Sequence, residues 1–137
     1  MKKELILAGL TATVVASSFL IIPKSYALTD RERSAQICNN PPKSSNSQQT
    51  LTLKSANADG YRIRVELRSS NQERVKWVRA CVPHGTVLYL KDESGKRYAS
   101  YTTQVTGWSY GDQLNTRMRL KACAEYPGLG ELCTNAR

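Results

Sequence analysis

The sequence predicts an all-β fold: a small antiparallel β-sandwich or barrel of about six strands, disulfide-stapled and exported behind a cleaved signal peptide. Three observations carry this. Short period-two segments recur with turn signals between them, and no segment after residue 27 keeps helical spacing for three turns. All four cysteines lie after residue 27. The first 27 residues read as a leader.

That leader opens on Met1, Lys2 and Lys3 and continues as an uncharged apolar run over residues 5–22. Pro23 and Lys24 end the run, and Ser25, Tyr26 and Ala27 place small residues at the third and first positions before Leu28. A basic start, an apolar stretch and a small-x-small cut site make a secretory signal over residues 1–27. A retained anchor is the alternative, since the run is near the minimum length that spans a bilayer. No cysteine adjoins the cut, and there is no twin arginine. The expected localisation is secreted or periplasmic.

Removal of residues 1–27 takes away three lysines and one glutamate, so the formal charge falls from +9 to +7. Such a balance speaks for anionic partners and solubility, not for a fold. The 110 residues that remain suffice for one small domain, at a size where covalent staples help. An even cysteine count in an exported chain of this size predicts two disulfides. A metal site is not expected, because no two cysteines are closer than Cys123 and Cys133, and His84 is the lone histidine. Of three possible connectivities, Cys38–Cys81 with Cys123–Cys133 is preferred, because the Tyr126-to-Gly130 stretch can turn sharply. Cys81–Cys123 stays open as an alternative, since similar five-residue stretches surround those two cysteines.

Residues 28–49 form an N-terminal tail and linker. Thr29 and Glu32 have capping-box spacing and predict a helix of two turns to about Ile37, with a solvated tail pinned by Cys38 as the alternative. Residues 39–49 are polar and led by two prolines, the composition of a linker or surface loop. The β domain then covers residues 50–137. Leu51 and Leu53 alternate with polar neighbours, and Asp59 with Gly60 offers a tight turn, which residues 56–58 are expected to lengthen into a loop. Residues 61–67 give the clearest strand, with Tyr61, Ile63, Val65 and Leu67 opposed to Arg62, Arg64 and Glu66. Residues 75–80 make the next. Residues 86–90 are apolar on both faces, as in a covered central strand. A strand over residues 96–105 follows. Gly107 and Gly111 bound a loop carrying Trp108 and Tyr110, and residues 114–122 form the last long strand.

Two groups of residues are candidates for binding. Arg62 and Arg64 share one strand face, and alternation over residues 114–122 places Arg117, Arg119 and Lys121 together. Neighbouring strands would merge them into a basic platform for sulfate, phosphate or carboxylate groups, with Arg74 and Lys76 as a third rank. An ordinary solvated face, partly neutralised by Glu66 and Glu73, is the competing reading. Trp108 and Tyr110 either stack on a ligand ring or plug one end of the core.

The function expected is therefore a non-enzymatic binding module. Its partner would be an anionic polymer or acidic protein surface: envelope polysaccharide, lipid head groups or an acidic protein. Neither metal nor cofactor is expected, nor stable membrane insertion once the signal is removed. The first alternative is a secreted hydrolase inhibitor presenting the Cys123–Cys133 loop or residues 82–86. The second is a small ribonuclease with His84 as base beside Glu66 or Asp92. No catalytic residue is assigned, and none of the nucleophile, zinc-protease or phosphate-loop motifs occurs.

Overall fold

Two antiparallel sheets, built by alternation of apolar and polar side chains, face each other across one core. The computed structural model describes residues 28–128 and 130–137, and the signal peptide expected over residues 1–27 lies outside them. In chain order, helix α1 (Asp30–Cys38) precedes β1 (Gln48–Ala58), β2 (Tyr61–Ser70) and β3 (Val75–Val82). Then come β4 (Val87–Lys91), β5 (Arg97–Thr102), β6 (Gly107–Tyr110), β7 (Leu114–Asn115), β8 (Lys121–Tyr126) and β9 (Gly130–Cys133). Sheet I has the order β1-β2-β3-β6, with β7 also paired to β3; sheet II has the order β9-β8-β4-β5. No helix among the described residues is long and apolar enough to cross a membrane.

Sheet I contributes Ile63, Val65 and Leu67 from β2, and Val78, Ala80 and Val82 from β3, to the buried core. Sheet II contributes Leu88, Leu90, Ala122 and Ala124, with Leu120 at the entrance to β8. The register pairs like with like, Val65 with Ala80 and Leu67 with Val78 in one sheet, Leu88 with Ala124 in the other. Each fully buried aliphatic side chain stabilises by roughly 1.5–3 kcal/mol. This stripe is therefore the main apolar term holding the sheets together.

The first hairpin is tighter than the composition suggests. β1 runs to Ala58, and Asp59 and Gly60, both with positive φ, make the whole connection. The Arg31 side chain fills the space that a Cβ on Gly60 would need. Its Nε donates to the Asp59 carbonyl at 2.6 Å. Helix α1 starts on the expected capping box: Glu32 N–H donates to Thr29 Oγ1, and Thr29 N–H to Glu32 Oε1. Its buried residues, Ser34 and Cys38, face the outer side of sheet I.

Both preferred disulfides are present, Cys38–Cys81 and Cys123–Cys133. Alternation excludes the Cys81–Cys123 alternative. Cys81 lies on the outer face of sheet I and Cys123 on the outer face of sheet II, each between residues that point into the core.

Among the described residues nine strands replace the expected six or so, for three reasons. Residues 107–110 form β6, not a loop, and pair with β3. The stretch over residues 114–122 is not one strand. It pairs as β7 at Leu114 and Asn115, leaves the ladder, and resumes at Lys121 in the other sheet. Residues 130–133 add a ninth strand against β8.

Candidate functional site

The outer face of β2 carries Arg62, Arg64, Glu66 and Arg68 in one row, because alternate side chains share a face. Glu66 is fully buried, and its register partner on β3 is Arg79, itself 5% exposed. Arg79 places Nε and one terminal nitrogen at 2.7 Å from Glu66 Oε1. Arg64 Nε donates to the other oxygen at 2.8 Å. Thr50 donates to Glu66 Oε1 at 3.2 Å and accepts from Arg68 at 2.7 Å, linking the third arginine to the same carboxylate.

Segment 39–47 runs as an exposed surface loop, one of the two forms its composition suggests, and it is tied to the sheet at Pro42. The Pro42 carbonyl accepts from Arg79 at 2.9 Å, so the chain crosses the outer face beside β3. Helix α1 and the Cys38–Cys81 bridge hold one end of this crossing in place. The β1 half of the face stays open, with Leu53, Ser55 and Asn57 exposed beside the arginine row.

Three guanidinium groups thus surround one carboxylate. Arg68 is 4% exposed, and its Nε is buried without a hydrogen-bond partner among the described residues. Burial first, then the nearby positive charge of Arg79, lowers its pKa. A buried donor left unfilled costs on the order of 1–3 kcal/mol.

The residues singled out from sequence separate into two groups. Arg62, Arg64, Trp108 and Tyr110 share the outer face of sheet I. Arg62 is exposed, and Tyr110, opposite Arg79, is 49% exposed. Trp108 is no plug in the core: its Nε1 donates to the Ile37 carbonyl at 2.9 Å, and its ring lies under Arg79 at 5.2 Å. The other group lies elsewhere. Arg117 and Arg119 belong to the segment between β7 and β8, and Arg119 reaches Glu93 and the Ala136 carbonyl. Lys121 is on the outer face of sheet II, in register with Lys91. Lys76 points the other way from the expected third rank. Its ammonium is buried and donates to the Met118 and Arg137 main-chain oxygens at 2.6 and 2.9 Å.

Arg68 and Arg79 were not among the sequence candidates, although a signal for them existed. Arg79 has the same parity as Cys81, so a bridge from Cys38 had to draw the preceding chain across that side of the sheet.

The outer face of sheet II is charged but self-neutralised. The buried Tyr89 hydroxyl donates to Glu131, which also accepts from Lys91 at 2.8 Å, and Arg97 stacks on the Tyr89 ring while pairing with Glu125. Burial, then the Glu131 bond, pushes the Tyr89 phenol far up. Cys123, Cys133 and Glu131 cluster closely, but both sulfurs are spent in the disulfide and offer no thiolate to a metal.

His84 is exposed, and neither carboxylate suggested as its partner is free. Glu66 is held by Arg64 and Arg79, and Asp92 by Ser94, Lys96 and Tyr98. In segment 82–86, Val82, Pro83 and Thr86 are buried, which leaves mainly His84 to present. No family model, curated protein or solved structure matches this chain.

Proposed function

We propose that this protein is an exported binding module whose partner is a linear polyanion lying along the outer face of β1 and β2. The observation that carries the reading is the surplus of Arg64, Arg68 and Arg79 over the single carboxylate Glu66, in a row that Arg62 extends to the exposed surface. Side chains two apart on a strand are about 7 Å apart, so Arg62 to Arg68 spans about 20 Å. A row of that length suits sulfate, phosphate or carboxylate groups repeated along a chain better than a single small ion. Exposed Ser55, Asn57 and Leu53 offer such a chain a shallow floor. The two disulfides fit an oxidising compartment, where a polysaccharide or an acidic protein would supply the anions.

Chromatography on immobilised dextran sulfate tests this. Retention should fall steeply with salt, as counterion release requires for a polyanion. Arg62→Ser with Arg68→Met should elute at clearly lower salt, whereas Arg117→Ser with Arg119→Ser, equal in charge lost, should elute near wild type. Equal weakening by the two pairs would mean that only net charge is read, and the proposal would fall.

A further inference from the structure

The segment between β7 and β8 is anchored residue by residue, with one exception. Thr116 N–H donates to the Arg74 carbonyl at 2.8 Å, and Met118 N–H to Thr116 Oγ1 at 3.0 Å. The Met118 carbonyl accepts from the buried Lys76 ammonium at 2.6 Å. Leu120 and Arg137 exchange both main-chain hydrogen bonds, at 3.0 and 2.9 Å. Arg119 is tied to Glu93 and Ala136. Arg117 alone is left: it is exposed, and neither its main chain nor its guanidinium makes a hydrogen bond or ion pair within the described residues. Met118 beside it is 39% exposed.

An exposed arginine is what an arginine-specific protease reads, and neighbours fixed on both sides set a rigid loop apart from a flexible substrate. From this pattern we infer that the Arg117–Met118 loop is a binding site for serine proteases whose specificity pocket holds a carboxylate, and that it inhibits them. The free Arg117 N–H and carbonyl can pair with an enzyme's main chain, and its guanidinium can form a bidentate ion pair in the pocket.

The anchors decide the outcome of an attack. The protease serine oxygen bonds to the Arg117 carbonyl carbon, the Arg117–Met118 C–N bond breaks, and the serine's proton passes through the enzyme's base to the Met118 nitrogen. In a loose loop that amine would diffuse away and water would complete hydrolysis. Here Lys76 holds the Met118 carbonyl, Thr116 Oγ1 holds the Met118 nitrogen, and Arg74 holds Thr116. Arg74 and Lys76 flank the start of β3, so both cut ends stay fixed to one strand. The amine then re-attacks the acyl carbon at high effective concentration, re-forms the peptide bond and returns the proton and the serine.

Trypsin assayed with a small arginyl ester in the presence of the intact disulfide-bonded protein tests this. Stoichiometric inhibition competitive with the ester is expected. Arg117→Ala should weaken it at least about 100-fold, as for a buried interface anchor, with an unchanged melting temperature. Arg119→Ala should keep it. Thr116→Ala should turn the protein into a substrate cleaved at Arg117–Met118. Inhibition that survives Arg117→Ala, absence of inhibition, or simple turnover of the wild-type loop would overturn the proposal. Arg117 lies outside the arginine row on β2, so this test and the dextran sulfate test fail independently.

Discussion

Glu66 and Arg79 are register partners across β2 and β3, and two nitrogens of the guanidinium meet one carboxylate oxygen at 2.7 Å with both side chains out of water. The pair and its neighbour Arg68 should answer substitution in opposite ways. Arg79→Met strips the buried carboxylate of its main partner, a change that costs about 3–5 kcal/mol. Arg68→Met removes a buried charge whose Nε has no partner, and should raise stability by about 1 kcal/mol. Urea unfolding of both variants checks this. A loss from Arg68→Met as large as that from Arg79→Met would show that the surplus charge is structural.

Acid should unfold the protein partly through Asp92. Its carboxylate accepts from the Ser94 hydroxyl at 2.6 Å and the Tyr98 hydroxyl at 2.8 Å, with the Lys96 and Ser94 N–H groups adding to these. The Ser94 bond first, then Tyr98, lowers its pKa from 3.8 to about 2. The folded state therefore binds fewer protons than the unfolded chain in that window, so stability is complete above it and drains away as pH falls through it. Glu131, lowered first by Lys91 and then by Tyr89, acts in the same direction. Unfolding midpoints between about pH 5 and pH 2 should fall less steeply in Asp92→Asn than in wild type.

The turn between β2 and β3 contains removable backbone strain. Gln72 has φ +68, is exposed, and makes no side-chain hydrogen bond within the described residues. A left-handed conformation costs a non-glycine residue roughly 1–2 kcal/mol, and glycine gives back part of that in unfolded-state entropy. Gln72→Gly should thus gain about 0.5–1 kcal/mol, and Gln72→Val should lose stability. Thermal unfolding with the order reversed would refute this account of the turn.

The two disulfides should differ in weight. Cys38–Cys81 closes a separation of 43 residues and Cys123–Cys133 one of 10. Loop entropy assigns about 4 kcal/mol to the first and under about 3 kcal/mol to the second. The Cys38→Ala/Cys81→Ala variant should melt lower than Cys123→Ala/Cys133→Ala. It should also lose the seating of α1, visible as faster hydrogen exchange at Ser34 to Cys38.

What was legible in the chain was whatever a short stretch dictates by itself. The Thr29–Glu32 box starts α1, and strict alternation in β2 sends Ile63, Val65 and Leu67 inward. What was not legible depends on partners distant in sequence. Leu114, Met118 and Leu120 keep period two, yet past Asn115 the backbone bonds to the Arg74 carbonyl, the Lys76 side chain and the Arg137 main chain in place of a continued strand ladder. Alternation also assigned Glu66 correctly to the face away from the core. It could not say that segment 39–47 and α1 would cross the β3 side of that face, beside a carboxylate buried among arginines.

Where β3 ends at Val82, the register continues to Pro83, which has no N–H to offer the Arg62 carbonyl. The Ser34 hydroxyl takes that place, donating to the Arg62 oxygen at 3.1 Å and accepting from its N–H at 3.2 Å. A helix side chain here finishes a ladder that a strand leaves incomplete. With that rung occupied, the exposed end of β2 offers no open pair of main-chain groups to the strand of a second molecule. Ser34 is thus a local stopper on an interior strand as much as an anchor for the helix, and any edge-to-edge pairing by sheet I falls to its outer strands β1 and β6.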